Sequence, residues 1–422
     1  MKRNILFIVI DCLRQDILEK NIDNLPNFKR LRDKSLVFAN AFATCSTTTP
    51  SFASILTGQY SMNHGVRTHH GHRINPESKT LQEVLSENGY NTYAEVTGPL
   101  YVNVGINKGF KRYTHRSRVD TIFTKKGQEI INAIGRLDNL SFFFLHLWTL
   151  HIPRWILKKY NNQEFGDSPY ERALKSLDDK LGEVLDAAAK EDIIILTADH
   201  GEGFRIHEGF MNVNKIKFGS DFERKILLLK SKLITLRGRI LHKLGFRQTR
   251  RIIGHGYHVF DKLIHVPLYM HIPGMNPKEI NVLCSHVDIM PTILDLLKIQ
   301  ERCNFDGKSL LGAVAGKEIH DAVYCEAVGC GFAKNVLVGV RTKKYKYCCQ
   351  LNNDYEKLYD LDADPQEETN IAQKYPELAK QLKNKMLELS RERADDFSKG
   401  EKISVKEEKA IKKQLEALGY FD

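Results

Sequence analysis

Four short apolar runs, Asn4–Ile10, Phe142–Leu145, Ile193–Thr197 and Val266–His271, constrain this 422-residue chain more than any other feature. Each is rich in Ile, Val, Leu or Phe without polar alternation, as expected of central strands covered on both faces. Helical patterns lie between them. That alternation predicts an α/β architecture, a large mostly parallel sheet sandwiched by helices. A hydrophobic content of 42% with 27% charged residues supplies such a core and excludes a disordered, collagen-like or coiled-coil chain.

Polar residues stand where the runs stop. Asp11 follows the first run, His146 and His151 the second, Asp199 and His200 the third, and His255 precedes the fourth by a short segment. In open α/β sheets ligands bind beyond the carboxyl ends of the strands, so Asp11, Asp199 and His200 are expected to meet in one crevice. A lone Asp in such a place can equally do no more than cap a helix. The stretch from Cys45 to Gly58 reads as a helix entry, with Thr49 as N-cap, Pro50 as first helical residue and Gly58 as terminator. Thr48 then sits just before a helix N-terminus, where free N–H groups and the helix dipole favour a sulfate or phosphate group. The plainer reading is a Ser/Thr-rich cap.

The net charge of +11 has an address: twelve Lys or Arg stand against Asp221 and Glu223 between Met211 and Ile252. Phe222, Ile226, Leu229, Leu233, Leu236, Ile240 and Leu244 recur there at spacings of three and four, which predicts a basic amphipathic helix. It reads either as an interfacial helix making peripheral contact with an anionic membrane through 215–251, or as a lid packed on the body. The remaining body is near neutral, so nucleic-acid binding is not expected. No apolar run reaches the length of a membrane span and no signal peptide is legible, which predicts a cytoplasmic protein, at most peripheral on the inner membrane face. The eight cysteines lack metal-finger spacing and read as buried thiols, with a disulfide left open.

Residues 4–16 (NILFIVIDCLRQD), 48–58 (TTPSFASILTG), 64–66 (HGV), 144–153 (FLHLWTLHIP), 197–203 (TADHGEG), 254–256 (GHG), 266–268 (VPL) and 285–292 (SHVDIMPT) follow in order, then 306–310, 340–342, 358–365 and 415–420. This series resembles the sulfatase family of the alkaline phosphatase superfamily over nearly the whole chain except 211–252. The resemblance implies a metal-dependent hydrolase or transferase on phosphate or sulfate esters, with Asp11, Asp199 and His200 as metal ligands and Thr48 at the nucleophile position beside the ion. It further implies that His255, His151, His146 and His258 donate to the transferring group or protonate the leaving oxygen.

The departures from the family pattern narrow the chemistry. Thr48 and Phe52 stand where sulfatases of the usual kind carry Cys or Ser and Arg, and oxidised threonine yields a ketone rather than formylglycine's aldehyde. Cys12 replaces a second aspartate, His200 an asparagine, and Thr97–Leu100 carries no Gly-Lys-Trp-His-like segment. Asp178 is followed four residues on by Gly182 rather than by a histidine, so one divalent cation is expected rather than two. Mixed oxygen and imidazole donors favour Mn or Zn, with Mg and Ca open. The likeness then leans towards phosphodiesterases and phosphotransferases of the superfamily, acting on a lipid-linked or glycan ester. The alternatives are a sulfatase without formylglycine and a non-catalytic, membrane-associated binding protein. A catalytic domain over 1–317 and a smaller C-terminal α+β domain over 318–422 are expected, with Asp288 and Pro291 structural.

Overall fold

The computed structural model describes residues 3–203, 210–213, 226, 229, 230, 233, 254–328, 336–391 and 400–418, apart from 139 and 191. Its centre is β1 (Ile5–Ile10), whose six side chains are all fully buried. Burying each such side chain is worth roughly 1.5–3 kcal/mol. The other strands of this sheet are β2 (Leu36–Phe42), β3 (Asn91–Val96), β4 (Arg112–His115), β5 (Ser141–Leu147), β6 (Ile193–Thr197), β7 (His265–Val266), β8 (Leu268–His271) and β9 (Lys278–Ser285). β1 lies between β5 and β6, parallel to both, with Val9 level with His146 on one side and Thr197 on the other. β3 and β4 extend the parallel part beyond β5. On the other flank β8 runs antiparallel to β6 and β2, and β9 pairs with the far edge of β2. The fourth predicted strand is thus split into β7 and β8 at Pro267, which has no N–H for a ladder bond.

The helix α1 (Thr48–Thr57) is buried along its whole length, which explains its apolar and small residues on every side. It begins two residues earlier than its Thr-Pro signal predicts. Thr47 is the extended N-cap (φ −142°, ψ 147°), and Pro50 occupies the third helical position, where its missing N–H is still one the helix cannot use. Gly58 ends it with φ 66°, and a Cβ there would lie 2.7 Å from the Phe305 ring.

A second, antiparallel sheet is built from β10 (Ala322–Ala327), β11 (Leu337–Thr342), β12 (Tyr345–Gln350) and β13 (Glu356–Asp360), backed by α2 (Pro376–Leu389). It is tied to the start of α1 by the backbone bonds Glu326 N to Thr44 O at 2.8 Å and Ser46 N to Glu326 O at 3.3 Å. Asp288 is structural as expected: it accepts from Ser285 N, Lys308 N and His320 Nε2 at 2.8–2.9 Å.

Of the predicted amphipathic helix, Ile226, Leu229, Lys230 and Leu233 are helical and exposed; its other residues lie outside the described set. Among the described residues no helix is long and apolar enough to cross a membrane. Seven of the eight cysteines are free thiols, and Cys330 lies outside the described residues.

Candidate active site

Three parallel strands deliver the first residues of the site to one edge of the sheet. Asp11 directly follows β1, His146 is the sixth residue of β5, and Asp199 and His200 follow β6 by two and three residues. The loop after β6 is fixed from outside: His286 Nε2 donates to Ala198 O at 2.9 Å and Gly201 N to Leu263 O at 2.8 Å. One ligand atom each from Asp11, Asp199 and His200 lie within 4.8 Å of one another, all buried.

Two buried carboxyls so close cannot both ionise cheaply. Burial and then the Asp11 charge push Asp199 well above the usual carboxylate range. Burial opposes ionisation of Asp11 too, yet the imidazoles of His146, His151 and His200 around it hold its pKa low. Asp199 Oδ1 accepts from His200 N at 2.9 Å and Cys12 N at 3.3 Å, whereas its buried Oδ2 has no hydrogen-bond donor among the described residues. His200 Nδ1 lies 2.7 Å from Gly201 O. A carbonyl only accepts, so Nδ1 carries the proton and Nε2 presents a lone pair. An orphaned carboxylate oxygen, a second carboxylate and an imidazole lone pair are a donor set that fits a divalent cation.

Thr48 reaches this point from the first turn of α1. Its Oγ1 is 3.2 Å from His200 Nε2 and donates to Asp11 Oδ2 at 3.4 Å. Phe52, one turn on, packs edge-on against His146 with ring centroids 4.8 Å apart, and His146 Nδ1 donates to Thr97 O at 3.1 Å. The position where the usual sulfatase pattern has Arg is therefore an apolar brace for an imidazole 3.4 Å from Asp11.

His255 and His151 complete the group, their rings 5.4 Å apart and that of His255 4.3 Å from His200. His151 stacks on Trp148 at 3.9 Å and donates from Nδ1 to Ile152 O, while burial lowers its pKa to about 4. His258 is the predicted site residue the structure sends elsewhere. It stacks on Phe260 at 3.5 Å and meets Tyr355 OH at 3.1 Å, facing the second sheet.

Three participants were not picked out in the sequence. Glu202 is fully buried, 3.3 Å from His255 Nδ1, and the charge of His255 wins over burial to hold its pKa at about 2. Its signal was within the 197–203 motif, as an acid two residues after a ligand. His69 is buried with Nδ1 2.8 Å from Thr49 Oγ1. Trp148 is held at the site by its neighbours: Gly98 has φ 72°, and a Cβ on it would lie 2.1 Å from the indole. Gly98→Ala must therefore move Trp148 and with it His151. We expect turnover to fall about 10²-fold, the cost of misplacing a working group by about 1 Å, with an unchanged circular dichroism spectrum. Full activity in that variant excludes a catalytic use of the His151 stack.

The sequence matches the family model described as Sulfatase over residues 3–299, and that described as N-sulphoglucosamine sulphohydrolase, C-terminal, over 255–392. It is 23% identical to arylsulfatase K of Rattus norvegicus over 414 residues, covering 85% of this chain and 72% of that one. Among solved structures, the phosphonate monoester hydrolase of Agrobacterium radiobacter superposes with a TM-score of 0.67 at 18% identity, covering 93% of this chain and 96% of that chain. BT4656 in complex with its substrate D-glucosamine-2-N,6-O-disulfate gives 0.68 at 16% identity, covering 96% and 100%.

Proposed function

The chain belongs to the sulfatase family, a family of ester hydrolases, and from that premise we propose that it cleaves phosphate or sulfate esters through Thr48, with phosphodiester or phosphoryl-type substrates favoured. The carrying observation is the Thr48 hydroxyl at the head of α1, 3.2 Å from His200 Nε2 and 3.4 Å from Asp11 Oδ2. Bound by Asp11, Asp199 and His200, one divalent cation, Mn or Zn by its mixed donors, supplies charge that activates a hydroxyl and neutralises an oxygen of the group under attack.

The protein groups divide the remaining work. Asp11 Oδ2 accepts the Thr48 hydrogen bond and orients the attacking oxygen. His255 protonates the leaving oxygen, because the Glu202 carboxylate beside its Nδ1 stabilises the imidazolium. His151 takes the complementary role: with Nδ1–H given to Ile152 O, its neutral ring offers Nε2 as a base for the water that breaks the Thr48 ester. That tautomer is why His151 is assigned proton acceptance rather than donation. His146, its Nδ1–H given to Thr97 O, borders Asp11 at 3.4 Å. We take residues 1–317 as the catalytic unit and 318–422 as a smaller unit bracing α1 through Glu326.

A second reading, hydrolysis of sulfate esters on a sugar, is favoured by the match to the sulphohydrolase C-terminal model and by the neighbour bound to a glucosamine disulfate. Turnover of nitrophenyl sulfate, phosphate and phosphodiester with Mn, Zn, Mg and Ca separates the two. We expect metal-dependent phosphodiester cleavage. Cleavage of sulfate alone transfers the assignment to the second reading, and no cleavage with bound metal and no Thr48 adduct favours a binding protein.

A further inference from the structure

Cys12 occupies the turn directly after β1, between Asp11 and the loop that carries Asp199 and His200. Its φ is 62°, a left-handed backbone that a non-glycine residue holds at a cost of about 1–3 kcal/mol. Both of its backbone groups are engaged there: the N–H donates to Asp199 Oδ1 at 3.3 Å and the carbonyl accepts from Tyr170 OH at 2.8 Å. The side chain is fully buried with Sγ 2.8 Å from Asp11 Oδ1 and 3.6 Å from Glu202 Oε2. Sγ and one ring nitrogen each of His200 and His255 lie within 4.8 Å of one another, a second ligand group that shares His200 with the Asp11–Asp199–His200 group. Asp199 Oδ2, buried and without a hydrogen-bond donor among the described residues, independently marks the same spot as a place for a cation.

We propose that Cys12 ligates the cation as a thiolate, so that the centre is a sulfur-containing site of the zinc class and not one of oxygen and imidazole donors alone. His200 has one lone pair to give, since its Nδ1–H is spent on Gly201 O. The two groups therefore describe one ion shared around His200, with Sγ drawn from the second. On ligation the S–H bond breaks, its electron pair forms the S–metal bond, and the proton leaves to Glu202 Oε2 or water, with no redox change. Thiolate selects soft and borderline ions over magnesium and calcium.

The test loads the metal-free full-length protein with Co(II), whose thiolate complexes show a near-ultraviolet charge-transfer band. The wild type is expected to show the band, Cys12→Ser to lose it and to bind zinc about tenfold more weakly or worse, and Cys45→Ser to keep it. Cys12→Asp, which tolerates a left-handed backbone better, is the second variant should the serine protein fail to fold; it is expected to lose the band and shift preference towards magnesium. The inference rests on the cation reading of the site. Cobalt bound without the band, or a band that survives both Cys12 variants, overturns the thiolate assignment alone. No cation bound by the wild type overturns both.

Discussion

Thr48→Ala is expected to lower turnover on the order of 10⁴–10⁶-fold, the range seen when a covalent nucleophile is removed, while leaving the fold and cation binding in place. The first expectation follows from position: Thr48 Oγ1 is the hydroxyl within hydrogen-bond reach of both Asp11 and His200. The second follows from the site's construction. Asp11, Asp199 and His200 are held by β1, β6 and the loop bonded to Leu263 and His286, none of which passes through the Thr48 side chain. Thr48→Ser keeps the hydroxyl and is expected to retain most of the lost activity. The informative measurement is single-turnover kinetics with trapping of the protein adduct. An alanine variant retaining more than about one per cent of activity means that water attacks directly, and a nucleophilic role for Thr48 is then falsified.

Glu326→Gln is expected to cost about 3–5 kcal/mol of stability, as breaking a fully buried ion pair does. Glu326 is fully buried, and Arg67 Nη2 lies 2.7 Å from its Oε2. Ser61 Oγ at 2.5 Å, Tyr324 OH at 3.0 Å and Cys45 Sγ at 3.8 Å also donate to it. Neutralising the acid removes the buried counter-charge 2.7 Å from the Arg67 guanidinium. Because the same residue's backbone is bonded to Thr44 and Ser46 just before α1, the loss also loosens the segment that presents Thr48. Urea unfolding of the variant should show a lower midpoint in a single transition. Two separated transitions mean that the sheets unfold as independent units, and an unchanged midpoint means that the pair contributes nothing.

How much of this was legible beforehand differs from residue to residue. β1 and β6 were readable because a strand buried on both faces must be apolar throughout, and Asp11, Asp199 and His200 because a polar residue that abruptly ends such a run lies at the sheet edge where ligands bind. The Thr-Pro setting made the place of Thr48 at the head of a helix readable, whereas its nucleophile position came from the family resemblance alone. The start of α1 was misplaced by two residues because the N-cap is decided by backbone angles at Thr47, and Pro is tolerated at any of the first helical positions. His258 was read as a substrate-binding candidate near His255, yet its ring stacks on Phe260 and meets Tyr355 OH.

What the amino-acid sequence determined by itself is the sheet, its central strands and the group of cation-binding candidates, because these depend on local periodicity and on where it stops. What only the tertiary structure decided is how the site is furnished: Glu202 behind His255, Phe52 against His146, Trp148 under His151, Cys12 Sγ among the ligands. These contacts join residues as far apart in the chain as Cys12 and His255. They are set by the packing of whole elements against one another, and packing of that range leaves no periodic trace along the chain.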